Sequence, residues 1–113
     1  MKLIREAENY LADAARVCEP CSMNFRIEAA RVLAQAGDLP GARRHVAEAE
    51  RITSLWQGGP WNASVWEARA ELRLAEGEEA QAMALFREAA DGFAQLRRPV
   101  DEARCRERAS ILV

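Results

Sequence analysis

Apolar residues near the start of the chain fall at Leu3, Ala7, Leu11, Ala14 and Cys18, with Tyr10 and Val17 widening the stripe. Steps of three and four predict an amphipathic helix over 3–18. Pro20 stops it, because the residue before a proline is pushed out of helical geometry, and Ser22 is placed to cap the next helix. From Met23 to Ala36 there are two stripes. Met23, Ile27, Ala30 and Ala34 form one, and Phe25, Ala29, Val32 and Ala36 the other. A helix apolar on two sides is packed between neighbours. Gly37 ends it, Asp38 caps a third helix and Pro40 is tolerated in that helix's first turn. The third helix carries Leu39, Ala42, Val46, Ala49 and Ile52 or Thr53, and ends near Leu55 and Trp56. Gln57-Gly58-Gly59-Pro60 is the longest break in the pattern, flanked by Trp56 and Trp61. Two registers then compete for the fourth helix. Ser64 with Glu67 fits a capping box, and Asn62 as cap would set Trp61 against Trp66 as a hydrophobic staple; the Asn62 start is adopted. The fourth helix ends at Gly77, the fifth runs to about Arg97 through Ala82, Phe86, Ala89, Phe93 and Leu96, and Pro99 opens a sixth with Cys105, Ala109 and Leu112 on one stripe.

Sliding the chain against itself by 40 positions places Ala30 on Ala70, Gly37 on Gly77, Ala42 on Ala82, Val46 on Phe86 and Ala49 on Ala89. Self-similarity at a fixed period marks stacked units that cannot bury their faces alone. Between Trp66 and Ala90 two helical patterns meet at Gly77, with small residues (Ala70, Ala82, Ala89) where helices would cross and bulky ones (Trp66, Leu74, Phe86) as knobs. Adjacent antiparallel helices nesting through these small residues are expected to share one continuous apolar seam. The spacing of Trp66, Ala70, Gly77, Ala82, Phe86 and Ala89 resembles the tetratricopeptide repeat. The usual period of that family is about 34 residues. The excess fits in a longer second helix and the Gly58-Gly59 loop, and the family's Tyr and its proline have no counterpart at the matching positions. The resemblance covers about 22–98. It implies an all-α fold, an antiparallel helix-hairpin solenoid of about six helices wound as a right-handed superhelix. The hairpin units would be 22–57 and 61–98, with flanking helices 3–18 and 100–112, all in a single domain over 1–113.

The resemblance also implies a function. First helices of such hairpins line a concave groove that holds a peptide or partner segment, so the expected activity is protein–protein interaction. The groove positions are Ser64, Glu67, Glu71, Leu74 and Ala75 on the fourth helix, and, at the offset of 40, Asn24, Ile27, Arg31, Ala34 and Gln35 on the second. There is no clamp of Lys and Asn for a chain-terminal carboxylate, and Arg31 opposite Glu67 and Glu71 suits a segment of mixed charge. The Ala- and Arg-rich wording is also loosely similar to the helical sensor arrays of large bacterial ATPase and transcription regulators, although no ATPase or DNA-binding motif is present.

Charge and composition narrow the partners. Of 113 residues half are apolar and 30% charged, with a net charge of −2. Lys2 is the sole lysine, and the arginines alternate with glutamates in a way that predicts solvated helix faces carrying intrahelical pairs. No basic field is available for phosphates, so a nucleic-acid partner is not expected. No apolar run approaches the roughly 18 residues of a membrane span, so neither is a membrane. A cytoplasmic location with reduced thiols follows as the expectation. Apolar residues at both ends (Leu3, Ile4, Ile111, Leu112) are unfinished as caps, which predicts a homodimer or membership of a longer array.

Candidate chemistry is sparse. Cys18-Glu19-Pro20-Cys21 has metal-ligand spacing, but a closed zinc site needs four ligands, and His45 and Cys105 belong to elements too far away to complete it. No metal or cofactor is expected, and a thiol-based redox or metal sensor using Cys18 and Cys21 is the alternative function. His45, the only histidine, is read as a surface residue. The acids at Glu67, Glu71, Glu78 and Glu79 are read as solvated faces and helix starts rather than as acid–base pairs. Without an assembled nucleophile, base or phosphate loop, the chain is not expected to be an enzyme.

Overall fold

The computed structural model describes residues 2–13, 22–55 and 61–111. They form six α-helices, α1 (Lys2–Asp13), α2 (Met23–Ala36), α3 (Leu39–Leu55), α4 (Asn62–Ala75), α5 (Glu79–Gln95) and α6 (Pro99–Ile111), and no strand occurs among them. Cys18, Cys21, Trp56, the Gly58-Gly59 loop and Leu112 lie outside the described residues. The sixfold all-helical pattern is the one the periodicity predicts.

Three of the connections are the same turn. Gly37 and Gly77 take φ of 84° and 83°, and Arg97 takes φ of 57°. At each, the next residue's N–H reaches back to the helix it leaves: Asp38 to the Leu33 carbonyl at 2.9 Å, Glu78 to Arg73 at 2.8 Å and Arg98 to Phe93 at 3.0 Å. The same residue's carbonyl then accepts the first bond of the new helix, from Ala42, Ala82 and Glu102 respectively. This is a Schellman closure leading straight into a helix start. Asp38 adds a side-chain cap, its Oδ1 accepting from the Gly41 N–H at 3.1 Å.

Two expected caps are not made. Ser22 has helical geometry and gives no side-chain cap; its hydroxyl accepts instead from Arg26 Nε at 3.0 Å. Asn62 is already inside α4, and the position before it is taken by Trp61 in helical conformation. The staple fails with it, because Trp61 packs on one apolar cluster and Trp66 on another. Helix α5 also stops at Gln95 rather than Arg97, whose left-handed backbone belongs to the turn.

Helix α4 is the centre of the packing. Its Val65, Ala68 and Leu72 face α2 and α3 in a cluster with Met23, Ala30, Val46 and Ile52. Its Ala63 and Ala70 face the other way, in a cluster with Phe86, Phe93, Cys105 and Ala109 of α5 and α6. The expected continuous seam is therefore two clusters separated by α4. Ala70 and Ala82 are fully buried, as the nesting of small residues requires. On α2 the first stripe is buried, but Val32 and Ala36 of the second are exposed and Leu33 is buried in their place. Helices α2 and α3 pack as one pair and α4 and α5 as another; α2 also packs on α4, and α5 on α6. Helices α4 and α5 come close at Gly92 of α5, where a Cβ would stand 2.9 Å from Ala63 Cβ and 3.2 Å from the Trp66 ring.

Two substitutions test this packing. Gly92→Ala drives a methyl into α4 and should lower stability by about 1–3 kcal/mol in urea denaturation; a neutral result would mean the helices stand further apart. Arg97→Gly removes the cost of a left-handed residue bearing a Cβ and should raise stability by about 0.5–1 kcal/mol, after allowance for the looser unfolded chain.

Candidate functional site

Side chains from α2, α4 and α6 meet along a furrow, and its floor is acidic. Glu67 and Glu71, one turn apart on α4, are 2% and 3% exposed. Bare carboxylates could not be held there, since desolvating an ion costs several kcal/mol unless it is paired and fully hydrogen-bonded. Each is flanked from both sides. Arg104 of α6 grips Glu67 with two bonds, Nε to Oε2 at 2.6 Å and Nη2 to Oε1 at 2.8 Å. From α2, Arg31 Nε approaches the same carboxylate at 3.7 Å. One turn on, Arg108 grips Glu71 at 3.2 and 2.5 Å, and Gln35 Nε2 donates to it at 3.2 Å. The result is two parallel rungs, Arg31–Glu67–Arg104 and Gln35–Glu71–Arg108.

The arginines are themselves steadied. Asp101 accepts from Arg104 Nη2 at 2.7 Å and from Arg98 Nε at 2.8 Å. Glu28 accepts from Arg31 Nη1 at 3.1 and 3.3 Å. Arg98 and Arg108 lie over the rings of Phe93 and Phe86, at 4.9 and 5.6 Å, where the ring face attracts a cation. The Glu67 hydrogen bond, against the opposing cost of burial and with help from Asp101, raises the Arg104 pKa further above its ordinary value. For Asp101, burial alone would raise the pKa, but the hydrogen bonds and charges of Arg104 and Arg98 hold it below the usual carboxylate range.

Above this floor the furrow opens into two hollows. One, of about 530 Å³, is lined by Arg31, Ala34, Gln35, Glu71, Leu74, Ala75, Arg104 and Arg108. The other, of about 400 Å³, is lined by Asn24, Ile27, Glu28, Arg31, Trp61, Ser64, Glu67, Arg98, Asp101 and Arg104. All the groove positions named from the sequence line one or the other: Asn24, Ile27, Arg31, Ala34, Gln35, Ser64, Glu67, Glu71, Leu74 and Ala75. The reading of Glu67 and Glu71 as solvated is corrected, because both are sealed beneath arginines. The sequence reasoning missed the wall formed by Arg98, just before α6, with Asp101, Arg104 and Arg108 on α6. Their spacing of three, three and four is the available signal, but by itself it reads as one more charged, solvated helix face.

Other candidates resolve differently. Among the described residues no group of three or more His, Cys, Asp or Glu is placed to hold a metal ion. Cys105 is fully buried, and burial with the nearby Glu67 charge pushes its thiol up to about 12, so it is not a thiolate near neutral pH. No described helix is long and apolar enough to cross a membrane. No protein-family model matches this chain, and no curated protein or solved structure matches it.

His45 is not the surface residue expected; it is buried on α3. Its Nε2 lies 2.7 Å from Glu8 Oε2, which Arg44 also reaches at 3.2 Å, so the pair ties α1 to α3. Its ring meets Phe25 edge-on at 5.5 Å, and its Nδ1 is buried without a partner among the described residues. Burial lowers the imidazole pKa below its ordinary 6.5, against the pull of Glu8. Burial would raise Glu8, but the hydrogen bonds and charges of His45 and Arg44 hold it below 4.5.

Both shifts act in the same direction. The unfolded chain binds the His45 proton near its ordinary pKa while the folded chain resists it, so this stability is present above about 6.5 and is lost as pH falls. Depressed Glu8 adds a loss at lower pH, as the carboxylate protonates. Unfolding free energy should therefore fall between pH 7 and 5.5, by at most about 1.4 kcal/mol per pH unit from one group. His45→Gln should flatten that slope in urea titrations; an unchanged slope would exclude His45 as its source.

Proposed function

We propose that the chain is a tetratricopeptide-like interaction module, its hairpins stacked as a solenoid, which holds a segment of a protein partner in the furrow between α2, α4 and α6. The observation that carries the reading is that ten positions, chosen from a repeat offset and a family resemblance, all line the two hollows of one furrow. Three further features support it. Corresponding helices of the two hairpins have equal lengths, 14 residues for α2 and α4 and 17 for α3 and α5. Gly37 and Gly77 make the same turn at the same offset. The chain is elongated, 43 × 29 × 21 Å, as side-by-side stacking of hairpins would make it.

Physically the furrow suits recognition better than turnover. Its ionisable groups are locked into mutual pairs, and such pairs supply a rigid, prearranged surface whose ordering cost is met on folding rather than on binding. Nothing in it sets a free base beside a nucleophile. The mixed walls, with Ile27, Leu74, Ala34 and Ala75 between charged groups, offer an extended or helical segment both apolar contact and hydrogen bonds.

A peptide array probed with the folded protein tests this. Bound peptides should lose binding to Leu74→Arg and Ser64→Trp, which fill the two hollows, without loss of the thermal transition. Retained binding in both variants would remove the furrow as the site.

A further inference from the structure

We infer that the larger hollow selects an acidic partner segment, its arginines receiving Asp or Glu side chains while Leu74, Ala34 and Ala75 take an adjacent apolar one. The inference rests on the interaction reading above and names the chemistry of what binds. Its starting point is a difference between the two hollows. Where Ser64 and Trp61 lie, three arginines (Arg31, Arg98, Arg104) are matched by three acids (Glu28, Glu67, Asp101). Toward Leu74 the matching ends: Arg31, Arg104 and Arg108 line the hollow with Glu71 as its single acid.

That acid is withdrawn from any visitor. The Glu71 side chain is 2% exposed and its oxygens are taken by Arg108 and Gln35, whereas the Arg108 and Arg104 side chains are 32% and 34% exposed. A ligand in the hollow therefore meets guanidinium edges above a hidden carboxylate.

The guanidiniums also have donors to give. Arg104 spends Nε and Nη2 on Glu67 and Asp101, Arg108 spends Nε and Nη2 on Glu71, and Arg31 spends Nη1 on Glu28. Nη1 of Arg104, Nη1 of Arg108 and Nη2 of Arg31 are left without an acceptor among the described residues, whereas Arg31 Nε, also without a hydrogen bond, is buried against Glu67 at 3.7 Å and out of a ligand's reach. A guanidinium carries five N–H donors in a planar fork that matches a carboxylate, and its bonds to an ionised oxygen are about twice as strong as neutral ones. Because buried acids already hold the forks in place, little side-chain freedom remains to be lost on binding. A basic segment would face the same guanidiniums as like charges, so the hollow discriminates by repulsion as well as attraction.

The test uses a fluorescein-labelled short peptide alternating Glu and Leu, and counterparts with Gln or Lys in place of Glu. Each is titrated into the full chain by anisotropy, with ¹⁵N spectra recording the Gln35 and Leu74 signals. The Glu peptide should bind, shift both signals and weaken steeply with salt, and the Gln and Lys peptides should bind at least about tenfold more weakly. Ala75→Glu, at an exposed position of the hollow, should weaken the Glu peptide about tenfold, while Ala75→Gln should not. Equal binding of the Gln or Lys peptide with the same shifted signals would overturn the acidic preference and leave the furrow reading standing. Binding of the Glu peptide that ignores Ala75→Glu would place it elsewhere and overturn the assignment. If no peptide moves Gln35 or Leu74, both this inference and the furrow reading fall.

Discussion

Two carboxylates on one helix, buried to within a few per cent, set the terms for the rest of this molecule. Glu67 and Glu71 lie on α4, between two apolar clusters that hold the same helix from opposite sides. An ion in that position is tolerable only with charged or hydrogen-bonding partners at short range, and removing one partner from a buried pair is costlier than the pair is worth. α4 must therefore receive α2 on one flank and α6 on the other, in a register that brings Arg31 and Gln35 from the first and Arg104 and Arg108 from the second. Apolar burial alone would let these helices slide by a turn with modest loss. The two rungs oppose that slide, because a shifted register would leave a carboxylate unpaired.

The same arrangement explains the character of the furrow. Acids at the floor and arginines at the rim are a consequence of side-chain length: a glutamate on the central helix reaches only its own surface, whereas arginines from flanking helices arch over it. What is neutral by count becomes basic in what it presents. The cation–π contacts of Arg98 and Arg108 with Phe93 and Phe86 tie that rim to the second apolar cluster, so the arginine wall and the core of α5 and α6 are held by the same residues.

Turn chemistry supplies the other half of the order. Gly37, Gly77 and Arg97 make one closure three times, and in each the outgoing residue starts the next helix by its own carbonyl. A link this short leaves little choice in how the following helix departs, so local backbone geometry and the distant ion pairs act on the same register. Across α3 and α4 the pairs Arg43–Glu76 and Arg69–Glu50 add to it at the surface, where exposure and salt keep each worth little.

The residues themselves determined the helices, because periodicity, glycine and proline act within a few positions: α2 and α3 lie where the 3.6-residue pattern and Gly37 put them, and the family resemblance named the furrow positions on α4, which the offset of 40 carried to α2. The cap assignments at Ser22 and Asn62 were less legible, since a capping residue is chosen by the incoming chain's direction as well as by its side chain. Tertiary structure alone decided the burial of His45 and the roles of Glu67, Glu71, Arg104 and Arg108. Arg104 and Arg108 stand 37 residues from the carboxylates they hold. Along one helix Glu67 and Glu71 read as a solvated face, and only the arrival of α6 turns that face into a floor. Whether a charge meets water or a partner depends on which distant helix covers it, and no local pattern carries that information.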